Sequence, residues 1–206
     1  MTATKPANAV LQWTWIGIFS AVLAWSAYKP YDYPTWMLEV APALIGAAVL
    51  WYTRHSFPLT PLTYVLILVH CIILMVGGHY TYAEVPLFDW IQATFDQSRN
   101  NYDKLGHFVQ GFIPAIIARE VVIVKQVFNS ERWRNFFIIC FCLGFSAFYE
   151  LIEWWVALLS EEAAESFLGT QGYTWDTQSD MGFALIGAIL ALLLLGRFHD
   201  RQLNAR

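Results

Sequence analysis

Six stretches of this 206-residue chain are apolar for close to the roughly 20 residues that a helix needs to cross a hydrocarbon layer of about 30 Å, which narrows the fold more than any motif. They are residues 13–28, 35–53, 61–78, 104–124, 135–159 and 179–198. Inside hydrocarbon every backbone amide must be bonded within the protein, so each stretch is predicted to be an α-helix. The composition agrees, with 57% hydrophobic, 17% aromatic and only 14% charged residues, a balance outside that of soluble domains. The expectation is an all-α polytopic membrane helical bundle of about six transmembrane helices, forming a single domain over residues 1–206. The first stretch runs long for a signal peptide and meets no convincing cleavage site before Lys29 and Pro30, so it is read as a retained span.

Orientation follows from the cations, because Lys and Arg near the spans collect on the cytoplasmic side. Arg54 follows the second span; Lys125, Arg132 and Arg134 separate the fourth and fifth; Arg197, Arg201 and Arg206 lie at the end, and Lys5 precedes the first span. The opposite loops carry Asp32, Glu84, Asp89, Asp96, Glu161, Glu162, Glu165 and Asp176, against Lys29, Arg99 and Lys104. Both termini are therefore expected in the cytoplasm, with an acidic face outside.

Between the third and fourth spans, AEVPLFDWIQATFDQSRN (83–100) repeats apolar residues at Leu87, Ile91 and Phe95. That is helical spacing with acids on the other side, the pattern of a short interfacial helix. Trp154, Trp155 and Trp175 would form an aromatic belt at the same level. Cys71, Cys140 and Cys142 fall inside spans, and the last two point to different helix faces, so neither a disulfide framework nor a zinc knuckle is expected. Gly77 and Gly78 fit a close helix approach or a helix end. No fixed-period repeat, low-complexity tract or phosphate-binding glycine loop is present in the sequence.

Against this apolar background, YDKLGHFVQGF (102–112) is conspicuous, because burying such polar groups costs several kcal/mol each unless they are paired or functional. Asp103, His107 and Gln110 are four and three residues apart, on one helix face near the outer surface. His79, Tyr80, Tyr82 and Glu84 leave the third span at that level. The fifth span is interrupted in its outer half by Tyr149, Glu150 and Glu153, and the sixth begins with Asp176 and Asp180. Four segments thus bring acids or histidines to one depth.

With only Lys104 nearby, the cluster Asp103, His107, Glu150, Glu153, Asp176 and Asp180 cannot stay fully ionised without a compensating cation, bound protons or water. Carboxylates with imidazole at i, i+3 and i+4 spacing are the donor set of helical-bundle metal sites and suit Mg, Mn, Fe or Zn. Those six residues are the metal-ligand candidates; Glu150, Glu153 and His107 are the catalytic candidates; His79, Glu84, Lys104 and Gln110 complete the polar site. A simpler account has Asp103 capping the fourth span, Asp176 or Ser179 capping the sixth, and Lys104 pairing with a Glu across the bundle. Capping is not open to Glu150 and Glu153, which lie inside a span. His70 reads as a hydrogen-bonded core histidine, and Arg119 and Glu120 as interfacial anchors at the cytoplasmic end.

The blocks GGHYTYAEVP (77–86), NYDKLGHFVQGFIPA (101–115), RE (119–120), FYELIEWW (148–155) and GTQGYTWDTQSDM (169–181) resemble the bacterial YjdF-type inner-membrane proteins, a family of unknown function. The resemblance covers most of the chain from the third span onward and implies a multi-pass inner-membrane protein without lending an activity. A more distant likeness is to VanZ-like membrane proteins. Asp103, Lys104, His107 and Phe108 match that family's first block, Glu150 its second and Asp180 its third, while Glu153 and Ala184 depart from it.

Three functional classes follow. The first is a metal-dependent enzyme acting on an envelope or lipid substrate, with one Glu left as general base. The second is a proton- or cation-coupled transporter, and the third a structural or regulatory protein whose acids only fix packing. Concentration of the polar groups at one depth, with few in the inner half, places the enzyme ahead of the transporter. The expected partners are the bilayer and a lipid or envelope small molecule, not nucleic acid.

Overall fold

The computed structural model describes residues 9–159 and 171–205. Lys5, Glu161, Glu162, Glu165, Arg206 and residues 169–170 of the last motif block lie outside the described residues. Seven helices are found among the described residues: α1 (Ala9–Ser26), α2 (Tyr33–Thr53), α3 (Pro61–Tyr80), α4 (Pro86–Thr94), α5 (Tyr102–Val124), α6 (Glu131–Leu159) and α7 (Asp176–Asn204). All but α4 are long and apolar enough to cross a membrane.

Local chemistry sets the helix starts. The Asp32 carboxylate accepts from the Thr35 amide at 2.8 Å, with Pro34 in the first turn of α2, and Thr60 caps α3 ahead of Pro61 in the same way. Most helices overrun the apolar windows. α6 and α7 each reach 29 residues, roughly 45 Å at the helical rise, because their polar ends continue past the hydrocarbon thickness. α4 is the expected short helix between the third and fourth spans, reduced to nine residues with Leu87 and Trp90 exposed.

α5 is the axis of the bundle, buried along much of its length and packed on α3, α6 and above all α7. The α5–α7 crossing depends on two glycines. A Cβ at Gly111 would overlap the Ala184 carbonyl, and one at Gly187 would overlap the Phe108 carbonyl. Close backbone approach of this kind is how helices associate where lipid removes the hydrophobic drive. Gly78 similarly lets α3 approach Glu39 and Val40 of α2. One apolar cluster, with Val40, Met75 and Ile113 at its centre, joins α2, α3 and α5. A second, built from Ala115, Ile116, Ile138, Cys142, Ala188 and Ala191, joins α5, α6 and α7. Large apolar side chains such as Trp13, Phe141 and Leu193 point outward instead, as they do when the solvent is lipid. The cysteines are unpaired, with Cys142 buried and Cys140 exposed.

Candidate functional site

The polar residues gather where α5 and α7 begin, and they divide into two halves. In the first, Lys104 Nζ donates to Asp176 Oδ1 and Asp180 Oδ1, each at 2.6 Å. Arg99, in the loop before α5, meets the same Asp176 oxygen at 2.5 Å and approaches Asp103 at 3.8 Å, while Lys104 lies 3.7 Å from Asp103. All five side chains are buried. Lys104 is therefore not the lone compensating charge, and its partners are aspartates of α7 rather than a glutamate across the bundle. Capping does not explain the aspartates either: the cap positions are Asn101 and Trp175, neither making a side-chain cap bond. The loop carrying Arg99 is pinned by its neighbour Asn100, whose side chain donates to Val85 and Asp89 and whose backbone exchanges two hydrogen bonds with the Gln171 amide.

The second half centres on buried His107. Its Nε2 faces Asp103 Oδ1 at 3.4 Å, and its Nδ1 faces Gln110 Oε1 at 3.1 Å and Glu150 Oε1 at 3.6 Å. Glu150 Oε1 is buried and accepts no hydrogen bond from the described residues, although the Thr177 hydroxyl bonds the same carboxylate. Donor atoms of His107, Glu150 and Glu153 lie within 4.8 Å of one another, as do those of Asp103, His107 and Asp180. The first set fits a divalent cation better, because Asp103 and Asp180 already face Lys104 whereas Glu150 and Glu153 form no ion pair with a Lys or Arg among the described residues.

His107 opens onto a cavity of about 220 Å³ between α2, α3, α5 and α6. Asp103, Gln110, Glu153, Tyr149, Tyr82, His70 and Glu39 contribute its polar lining. Glu39, buried in the otherwise apolar α2, stands on the wall facing His107 and is hydrogen-bonded by the Tyr82 and Tyr149 phenols, the latter at 3.5 Å. Burial, reinforced by the Glu39 charge, holds the Tyr82 phenol well above its ordinary pKa. Pro42 and Pro114 also line the cavity; each lies inside a helix and lacks the amide that would bond the carbonyl four residues back. Glu39 escaped the sequence reading, although a single ionisable residue in an apolar span was the signal for it. Arg99 sits in a loop and had no such signal, whereas Tyr82, which the sequence brings to this depth, does line the cavity.

Two expected site residues lie elsewhere. His79 turns toward α1, its Nδ1 3.0 Å from the Ser26 carbonyl oxygen and its ring on Trp25, and Glu84 is exposed. His70 is not simply a core residue but part of the cavity wall.

Arg119 and Glu120 are not interfacial anchors. They form a second buried network at the opposite end of the bundle. Glu120 accepts from the Thr60 amide at 2.7 Å and the Thr60 hydroxyl at 2.8 Å, from the Thr63 hydroxyl at 2.5 Å, and from His199 Nε2 at 3.1 Å. Arg119 bridges His199 Nδ1 at 3.2 Å and Asp200 at 2.7 Å. A guanidinium only donates, so Nδ1 accepts and Nε2 carries the hydrogen that reaches Glu120. This carboxylate reaches the start of α3 from across the bundle, satisfying the Thr60 amide and holding the Thr60 and Thr63 hydroxyls.

The chain is 49% identical over 183 residues to the inner membrane protein YjdF of Escherichia coli (strain K12), an alignment covering 89% of this chain and 88% of the relative. No solved structure matches it. A family model described as "Predicted membrane protein (DUF2238)" matches residues 11–201, and the chain belongs to that family.

Proposed function

We propose that this protein is a multi-pass inner-membrane enzyme that holds a divalent cation at His107, Glu150 and Glu153 in the outer half of the bilayer and acts there on a lipid or other envelope substrate. The observation that carries the reading is the buried Glu150 oxygen that meets no hydrogen-bond donor among the described residues, 3.6 Å from His107 Nδ1. A buried carboxylate oxygen left unbonded is costly, and a cation shared with His107 and Glu153 would satisfy it. Such a cation would polarise a bound ester or phosphoryl oxygen and lower the pKa of a bound water. Asp103, facing Nε2, would take the hydrogen on that nitrogen and leave Nδ1, which faces Glu150 Oε1, as the ligand atom once Gln110 gives it up to the cation. Glu39, across the cavity, is the carboxylate placed to take up a proton. The ion-paired half, Arg99, Lys104, Asp103, Asp176 and Asp180, supports this centre by locking α5 to α7. The E. coli relative's description supports the inner-membrane assignment, and the Lys and Arg distribution supports cytoplasmic termini.

Transport is the weaker alternative. Between Gln110 and Arg119, α5 buries Ile113, Ala115 and Ile116, and Ile138 and Cys142 of α6 complete an apolar layer between the two polar networks. Among the described residues no chain of polar groups links them.

The test is metal content by plasma mass spectrometry on protein purified in mild detergent after exposure to Mg, Mn, Fe or Zn. One equivalent in the parent and none in a folded Glu150→Gln, Glu153→Gln double variant is the expected result. A folded parent that retains no metal at saturating concentrations rejects the centre.

A further inference from the structure

The cavity beside His107 does not end at its polar residues. Its lower wall is formed by Pro114, Ile117 and Phe145, and these same three residues line a groove of about 620 Å³ that continues along the seam between α5 and α6. From there the groove is bounded by Ala118, Val121 and Val122 of α5, by Phe137, Ile138 and Phe141 of α6, and by Val127 and Phe128 of the connecting loop, without a polar side chain. Polarity therefore falls in one direction along one path: carboxylates, imidazole and phenols at the start of α5, hydrocarbon from Pro114 onward. From Pro114 to the end of α5 at Val124 is ten residues, roughly 15 Å at the helical rise, so the apolar part is long rather than pocket-like.

We infer that the substrate is a lipid with a single long hydrocarbon chain and a phosphate head group, its head at the His107–Glu150–Glu153 centre and its chain in the α5–α6 groove. The inference rests on the metal-centre reading for the head group and on the groove's continuity with the cavity for the chain. The carboxylates alone repel a phosphate; a divalent cation held by them attracts one, and hard oxygen ligands are what such a cation takes. One groove between one pair of helices seats one chain, which favours a single-chain lipid over a diacyl phospholipid. Desolvation of the chain along continuous apolar surface supplies the affinity, about 0.8 kcal/mol for each buried methylene. The head-group contacts fix the orientation.

The experiment uses hexadecyl phosphate bearing a diazirine at the chain end, photolysed with the purified full-length protein in mixed micelles and mapped by peptide mass spectrometry. The expected label falls on α5 and α6 residues of the groove, such as Val121 and Phe141, and is competed by unlabelled hexadecyl phosphate but not by a diacyl phosphatidylglycerol. Val121→Trp, which fills the groove without touching the metal ligands, lowers that label about tenfold, whereas Leu193→Trp on the outward face of α7 leaves it unchanged. Metal content measured on the same samples separates the two readings. Loss of label on chelation ties chain and cation together; label that persists without metal keeps the groove and overturns the head-group assignment. Label spread evenly over the lipid-facing helices, or competed equally by the diacyl lipid, overturns the proposal.

Discussion

Lys104 shows how much of the site is decided by single charges. Its ammonium sits between Asp176 and Asp180 at 2.6 Å from each, and all three side chains are buried. Lys104→Met would leave two carboxylates facing each other across the space the ammonium filled, and breaking such a buried pair costs on the order of 3–5 kcal/mol. The variant is expected to unfold at distinctly lower temperature in detergent than the parent, with Asp180→Asn added to the same chain recovering part of the loss; equal thermal unfolding of Lys104→Met and parent would refute the pairing. The residues of this half were legible because helical spacing put Asp103 and His107, and Asp176 and Asp180, on shared faces. What spacing cannot convey is which charge meets which, since that depends on how α5 crosses α7. Arg99 entered the network from a loop, and Glu39 from a helix that pattern alone did not bring to the site.

At the scale of elements, hydrophobic windows of bilayer length located all six long helices, and helix existence was the most secure part of the reading. Their ends were not, because α6 and α7 continue past the hydrocarbon on side-chain bonds that composition does not register. Arg119 and Glu120 illustrate the gap: at the end of an apolar span they read as anchors, yet α3 and α7 fold over them and seal Glu120 and His199 completely, at 0% exposure. The crossing of α5 and α7 explains why the polar groups meet. Gly111→Ala or Gly187→Ala would push a methyl group into the partner backbone, a strain of about 1–3 kcal/mol that only separation of the helices relieves. Since Lys104 lies on α5 and both of its partners on α7, either variant is expected to lower thermal stability and weaken metal retention together. Gly182→Ala, on α7 with open space around it, should change neither.

For the molecule as a whole, the two polar networks lie at opposite ends, and which end faces the cytoplasm decides what each can meet. At the Glu120 end the flanking cations are Arg54, Lys125, Arg132, Arg134, Arg197 and Arg201. At the His107 end Arg99 and Lys104 are both engaged by buried aspartates, leaving Lys29 as the remaining Lys or Arg among the described residues there. Cations within a short distance of a span resist translocation, so this asymmetry predicts a bundle with the Glu120 end inside and the His107 end toward the periplasm. Single cysteines introduced at Asp96 and at Ser130, in a background where Cys71, Cys140 and Cys142 are replaced by alanine, report the outcome directly. Treated with a membrane-impermeant maleimide in intact spheroplasts, the Asp96→Cys protein is expected to label at once and the Ser130→Cys protein only after lysis. The reverse pattern would place the His107 cavity on the cytoplasmic side, where a periplasmic envelope substrate could not reach it.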